Sequence, residues 1–317
     1  MSAEFLWTVP TRIEPSRRWA RGVTDHRSGR FDLFDTAIGT ARAAEAVGFD
    51  GIVVPYDPDG DESWVLTTAL ARETPRLAIV SEFQPGFATA VYTAKLAQSY
   101  QRFFADRLGW KLALSSPADV QRQVGDFVEG ADRLVRAEEL LTVSRGVWDE
   151  GPYTFTGRFF TAVDSGFFEG NLSTRVLPGH DLARRRHPRV YLDGDTHDVL
   201  RLSARLGDVH LFDAAEPGRI RSLVEDLDRL AADAGRGVSA GLKVSVLARD
   251  TEEEARRDAE RLGHRGGVIG SFEQVAESIA AYQEVGVRIF VLDSPVRLDA
   301  YRIGERLLPL LQPTLVA

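Results

Sequence analysis

The side chains best suited to chemistry stand at the ends of apolar runs. Lys243 and Ser245 lie in Leu242-Lys243-Val244-Ser245, where a cation could meet negative charge developing on a bound molecule. Asp193-Gly194-Asp195-Thr196 follows another run and opens a helical pattern. Backbone N–H groups are free at a helix start, so Gly194 and Thr196 make this segment a candidate phosphate site. Asp195 reads two ways, as a simple helix cap or as a charge that opposes an anion. Arg12, Tyr56, Gln84, Ser115, Asp213 and Asp293 end or follow further runs.

Other chemistries lack their residues. There is no Gly-x-Ser-x-Gly elbow and no evident base for the serines, which disfavours acyl transfer. His197 and His210 have no second histidine at metal-ligand spacing, so no metal site is expected. Zero cysteines remove disulfides, thiolate metal sites and a cysteine nucleophile. With 39 Lys+Arg against 47 Asp+Glu, the net charge of −8 argues against nucleic acid or an anionic membrane as partner. No apolar run approaches the roughly 20 residues of a membrane helix. The N-terminus also lacks the layout of a secretory signal, so a cytoplasmic protein is expected.

The elements that must position these residues alternate along the chain. Strands are read near Glu4–Pro10, Gly51–Pro55, Leu77–Phe83, Trp110–Ser115, Arg189–Asp193, Val209–Asp213, Leu242–Ala248 and Arg288–Asp293. Most are compact apolar runs, which suits strands buried on both faces. Helical patterns cover Leu33–Val47, Ala90–Phe104, Gly130–Val147 and Leu298–Leu311. Two more open at the acidic turn Asp250–Glu254 and at the capping-box spacing Ser271–Gln274. Eight strands alternating with helices predict one (β/α)8 TIM barrel over residues 1–317, with its site where strands end. Arg184-Arg185-Arg186-His187 precedes the fifth strand and belongs to the opposite face. An insertion, Gly151–Leu177, separates the fourth helix from the fifth strand, and PYTFTGRFFTAVD could form a short hairpin there.

The order of motifs resembles the bacterial luciferase-like flavin monooxygenases, nearest the alkanesulfonate monooxygenase branch. The resemblance runs through Phe5-Leu-Trp7-x-x-Pro10, Ala44-Glu-Ala-Val-Gly48-Phe-Asp50 and Asp61-Glu-Ser-Trp64-Val. It continues through Gln84-Pro85-Gly86, Pro188-Arg-Val-Tyr191 and Ala248-Arg-Asp-Thr251, and ends with Phe290-Val-Leu-Asp293 and Tyr301-Arg-Ile-Gly304. It implies a barrel that uses reduced FMN from a separate flavin reductase, together with O2, to oxidise a small substrate. It also implies a homodimer or a heterodimer with a related barrel, paired through helices on one side. In such sites the flavin carries the redox work while the protein orients it and excludes water.

On that resemblance Trp7, Tyr56, Gln84, Ser115, Asp193, Gly194, Asp195 and Thr196 would bind the cofactor. Arg12, Trp64, Asp213 and Asp293 would contact substrate, and Lys243 and Ser245 would be catalytic. Phe83 would join Trp7, Tyr56 and Trp64 in walling flavin and substrate. The departures are specific. Asp195 replaces a small polar residue of the family's phosphate loop; a carboxylate about 4 Å from a phosphate charge costs roughly 4 kcal/mol per pair at a dielectric of about 20. Lys243 and Ser245 stand where the branch supplies Arg and His, and Gly60 stands where it has cysteine. Ala105-Asp-Arg107-Leu-Gly109 replaces Ser-Gly-Gly-Arg, and the lid segment is cut to residues 263–270. A barrel that supports a catalytic partner without turnover, or a deazaflavin (F420) oxidoreductase, therefore remains beside the oxygenase reading.

Overall fold

The computed structural model describes residues 3–12, 33–149, 152–166, 185–296 and 299–311. The chain starts with β1 (Glu4–Thr8), α1 (Leu33–Ala46), β2 (Gly51–Val54), α2 (Ser63–Glu73), β3 (Ala78–Phe83), α3 (Ala90–Phe103) and β4 (Leu108–Leu112). A short α4 (Ala118–Gln123), the long α5 (Asp132–Asp149) and an antiparallel hairpin, β5 (Tyr153–Thr156) with β6 (Thr161–Ser165), come next. The second half comprises β7 (Arg189–Asp193), α6 (His197–Leu206), β8 (Val209–Asp213), α7 (Pro217–Asp233) and β9 (Ser239–Arg249). It ends with α8 (Glu252–Leu262), β10 (Val268–Ser271), α9 (Phe272–Glu284), β11 (Ile289–Asp293) and α10 (Asp299–Leu311).

Eight parallel strands close in the order β1-β2-β3-β4-β7-β8-β9-β11 and return to β1. This is the expected TIM barrel with its insertion. The eight expected strands all form, with shifted bounds. β4 ends at Leu112, so Ser115 lies beyond it, and β9 runs 11 residues. The extra length of β9 passes the barrel wall and pairs in parallel with β10. The segment read from sequence as a cut-down lid therefore supplies part of an edge strand. Its Gly267 sits at φ +79°, where a β-carbon would lie 2.1 Å from the Ser245 carbonyl oxygen.

Strand alternation splits the core. Leu6, Val53, Val80, Tyr191, Val209, Leu211, Ile289 and Val291 fill the barrel, while a larger cluster lies between sheet and helices. Helix starts obey local chemistry: Thr251 caps α8, and Ser271 with Gln274 forms a complete capping box on α9. No helix among the described residues is long and apolar enough to cross a membrane.

The ring of helices closes where α10 meets the end of α1. Gly304 makes this approach possible, since a β-carbon there would stand 2.0 Å from Val47 Cγ2 and 3.0 Å from the Phe49 ring. Gly304→Ala gains helix propensity but forces the two segments apart. A net loss of about 1–2 kcal/mol is expected in urea unfolding. A stabilised variant would show that this contact yields freely.

Candidate active site

The C-terminal end of the barrel is crossed by a chain of charges. Lys111 on β4, almost fully buried, contacts Glu82 on β3 and Asp193 on β7, the latter at 2.9 Å. Asp193 also accepts from Lys243 on β9 at 2.8 Å, and Lys243 reaches Asp213 on β8 at 3.0 Å. Glu82 takes in addition the backbone N–H of Tyr56 at 3.2 Å. Burial alone would lower the Lys111 pKa, but Glu82 and Asp193 more than reverse this and hold the ammonium charged. Burial would raise Asp193, yet Lys111 and Lys243 pull it down to about 2. Lys243 is thus a cation held between two carboxylates.

Beside this chain, β7 turns directly into α6. Gly194 makes the turn at φ +133°, a conformation side-chain-bearing residues rarely adopt. Thr196 is the N-cap, and its hydroxyl accepts from Val199 N at 3.4 Å. This corrects the cap reading of Asp195, which stands exposed one position earlier. Behind the turn, His210 is fully buried against α6, with Nδ1 2.8 Å from the Ser203 hydroxyl. Burial pushes its pKa down to about 4, so it is a neutral structural residue at pH 7.

The remaining candidates are spread around the mouth. Arg12 is gripped by Asp57 through two nitrogens and by Asp59 at 3.1 Å, so it is an engaged rim cation. Asp213 and Asp293 are exposed residues that end the two strands flanking β9, and Ser245 on β9 pairs in register with Asp293. Ser115 is exposed past the end of β4. Tyr56, Trp64, Phe83 and Gln84 line a groove of about 1170 Å³ that opens from the mouth between α2 and α3. Trp7 departs from expectation. Its neighbour Leu6 points into the barrel, so Trp7 points outward, buried against Phe49 with ring centroids 5.4 Å apart. It is a core residue rather than a wall of the mouth. Arg17, Arg18 and Arg21, which also come after the first strand, lie outside the described residues.

Sequence reasoning missed Lys111 and Glu82. Both sit inside strands read from sequence, most of which are compact apolar runs, and the signal was a charge at an inward position of each. It also missed Arg136, which binds Asp126 through both terminal nitrogens beside the groove. A flavin phosphate would fit the β7–α6 turn through backbone groups, since the N–H groups of His197 and Asp198 have no intrahelical acceptor by position. Asp195 and Asp198, exposed at the same end, weaken any phosphate bound there without blocking it.

The charge chain makes its own prediction. The depressed Asp193 pKa contributes stability that is present above about pH 4 and lost as pH falls towards about 2. Lys111→Met leaves Glu82 without this ion pair and takes a cation from Asp193, which favours the protonated form of Asp193. The variant is expected to lose about 3–5 kcal/mol at pH 7. Because Asp193 in the variant gains by protonation, the deficit shrinks as pH falls from about 7 to about 4. Urea unfolding at several pH values measures this, and adding Glu82→Gln restores part of the loss. A deficit independent of pH would mean that packing, not charge, is at stake.

Comparison with known proteins places this geometry. The family model for luciferase-like monooxygenases matches residues 4–267. Among solved structures of similar fold, a riboflavin lyase with modified FMN and riboflavin aligns at TM-score 0.78 and 14% identity, over 98% of this chain and 91% of that one. EDTA monooxygenase from Chelativorans sp. BNC1 aligns at 0.77 and 18%, over 98% and 94%. An F420-dependent secondary alcohol dehydrogenase in complex with an F420-acetone adduct aligns at 0.74 and 15%, over 99% and 100%. With the family model running from the first barrel strand to the edge of β10, the chain belongs to the luciferase-like monooxygenase family.

Proposed function

We propose that the chain is the oxygenase component of a two-component system, taking reduced FMN from a separate reductase and oxidising a small organic substrate with O2. The observation that carries this reading is the Gly194 turn, which delivers the α6 N-terminus to the open barrel mouth beside Lys243. When bound, reduced flavin would supply the electrons for oxygen chemistry. Gly194, Thr196 and the first turn of α6 would hold the phosphate. Lys243, aimed by Asp193 and Asp213, would steady negative charge on the ring or the substrate, with Ser245 beside it. Gln84, Tyr56 and Trp64 would shape the adjoining groove, and Arg12, Asp213, Asp293 and Ser115 the rim.

Family membership and the fold of EDTA monooxygenase support this reading. Exposed Asp195 and Asp198 favour a second one, a barrel that binds flavin poorly and supports a partner. The F420-dependent neighbour keeps deazaflavin as an alternative cofactor. A second barrel, identical or related, would dock on α2 and α3, where Val65, Tyr92 and Phe103 are exposed along the outer groove. Light scattering at twice the monomer mass checks for an identical partner.

Anaerobic fluorescence titration tests the cofactor. Reduced FMN is expected to saturate at one per chain, more tightly than F420. Asp195→Ser removes a charge next to the cap but not the cap itself. It should tighten reduced FMN about tenfold at low salt, with stability changed by less than about 0.5 kcal/mol. No saturation at concentrations far above about 100 μM, where complexes weaker than about −5 kcal/mol would lie, transfers the assignment to the supporting barrel.

A further inference from the structure

β9 sorts its side chains onto two faces. Ala240, Leu242, Val244, Val246 and Ala248 join the layer under the helices. The pleat therefore puts Lys243, Ser245, Leu247 and Arg249 together on the other face. Lys243 and Ser245 stand at the mouth. Arg249 lies past the barrel wall, yet only 5% of it is exposed. Its Nε donates to Asp258 on α8 at 2.7 Å. Its Nη1 donates to Asp299 at the start of α10 at 3.1 Å and to the Ala248 carbonyl at 2.8 Å.

Both carboxylates lead back to the mouth. Asp299, itself buried, accepts from the Ser294 hydroxyl at 3.0 Å, and that hydroxyl accepts from Val296 N at 3.2 Å. Residues 294–296 follow Asp293, the ladder partner of Ser245. Asp258 fixes α8, whose end leads into Gly267 and β10. Gly267 lies so close to the Ser245 carbonyl that no side chain would fit between them. One guanidinium thus ties together the end of β9, the helix before β10 and the loop after β11. A buried ion pair often adds little stability over apolar side chains of similar volume, but a guanidinium fork holds its partners in one geometry.

We infer that Arg249 is a positioning residue for the mouth, a latch that acts on Ser245 and Asp293 through Asp258, Asp299 and Ser294 and does not itself touch ligand. It holds residues 263–271 and 293–296 as a fixed wall beside Lys243, so that a ligand meets a preformed surface. The effect on ligand rests on the reading of the mouth as a flavin site, but the latch itself does not.

Hydrogen exchange on the full chain without flavin, followed by anaerobic titration with reduced FMN, tests it. Arg249→Met should raise exchange about tenfold or more in residues 263–271 and 293–296 and leave α2, β3 and β4 as in the wild type. It should also weaken reduced FMN about tenfold, because the wall is no longer preformed. Arg249→Lys keeps the charge without the fork and should fall between the two in both measurements. Ser294→Ala cuts only the last link, so it should loosen residues 293–296 and leave 263–271 protected. Three results would overturn the proposal: both segments keeping their protection in Arg249→Met, exchange rising throughout the barrel, or loosened segments with unchanged flavin affinity. A wild type that binds no reduced FMN would sink the oxygenase reading alone, and the latch would still be judged by exchange.

Discussion

Burying Lys111 inside a barrel strips its ammonium of water, a cost that the carboxylates of Glu82 and Asp193 offset only when all three strands stand in one register. Glu82 and Lys111 are direct ladder partners on β3 and β4, as Asp213 and Lys243 are on β8 and β9. Asp193 on β7, the strand between the two pairs, joins them through Lys111 and Lys243. A slip of one residue anywhere in this arc would turn a charge outward into the packed layer under the helices. The network therefore does what an apolar layer cannot: it penalises every register but one while leaving a polar floor at the mouth.

The same floor sets what each neighbouring group can do. Lys243 resembles a lone catalytic cation in the sequence, but Asp193 and Asp213 fix its direction and share its charge. Its field reaches the mouth as part of a nearly balanced cluster, so it discriminates by position more than by net attraction. Tyr56 is tied to this cluster through its backbone, since Glu82 accepts its N–H. The polar floor and the aromatic groove are thereby linked at the end of β2.

Elements governed by local rules are legible in the sequence. The capping box at Ser271, the Thr251 cap and the apolar strand runs need only neighbours in the chain, and each stands where those neighbours put it. Properties set by the direction of a side chain are harder. Trp7 and Leu6 are equally apolar, and only the pleat decides that Leu6 fills the barrel while Trp7 meets Phe49. Lys111 and Glu82 are charges in strands otherwise read as buried, and the partner that makes each tolerable lies 29 residues away. Asp195 and Thr196 are both good caps, and the backbone of the Gly194 turn, not residue type, selects Thr196.

Two halves of the mouth consequently differ in character. β4, β7, β8 and β9 bring paired charges and the α6 N-terminus, an environment suited to a polar ligand anchored by backbone N–H groups. The ends of β2 and β3 and the start of α2 bring the groove with the aromatic rings of Trp64, Phe83 and Phe87. The two halves meet where Glu82 accepts the backbone N–H of Tyr56 and contacts Lys111. β3 and β4 each carry both charge and ring, and the pleat sorts them: Glu82 and Lys111 meet inside the barrel while Phe83 and Trp110 pack together in the layer under the helices.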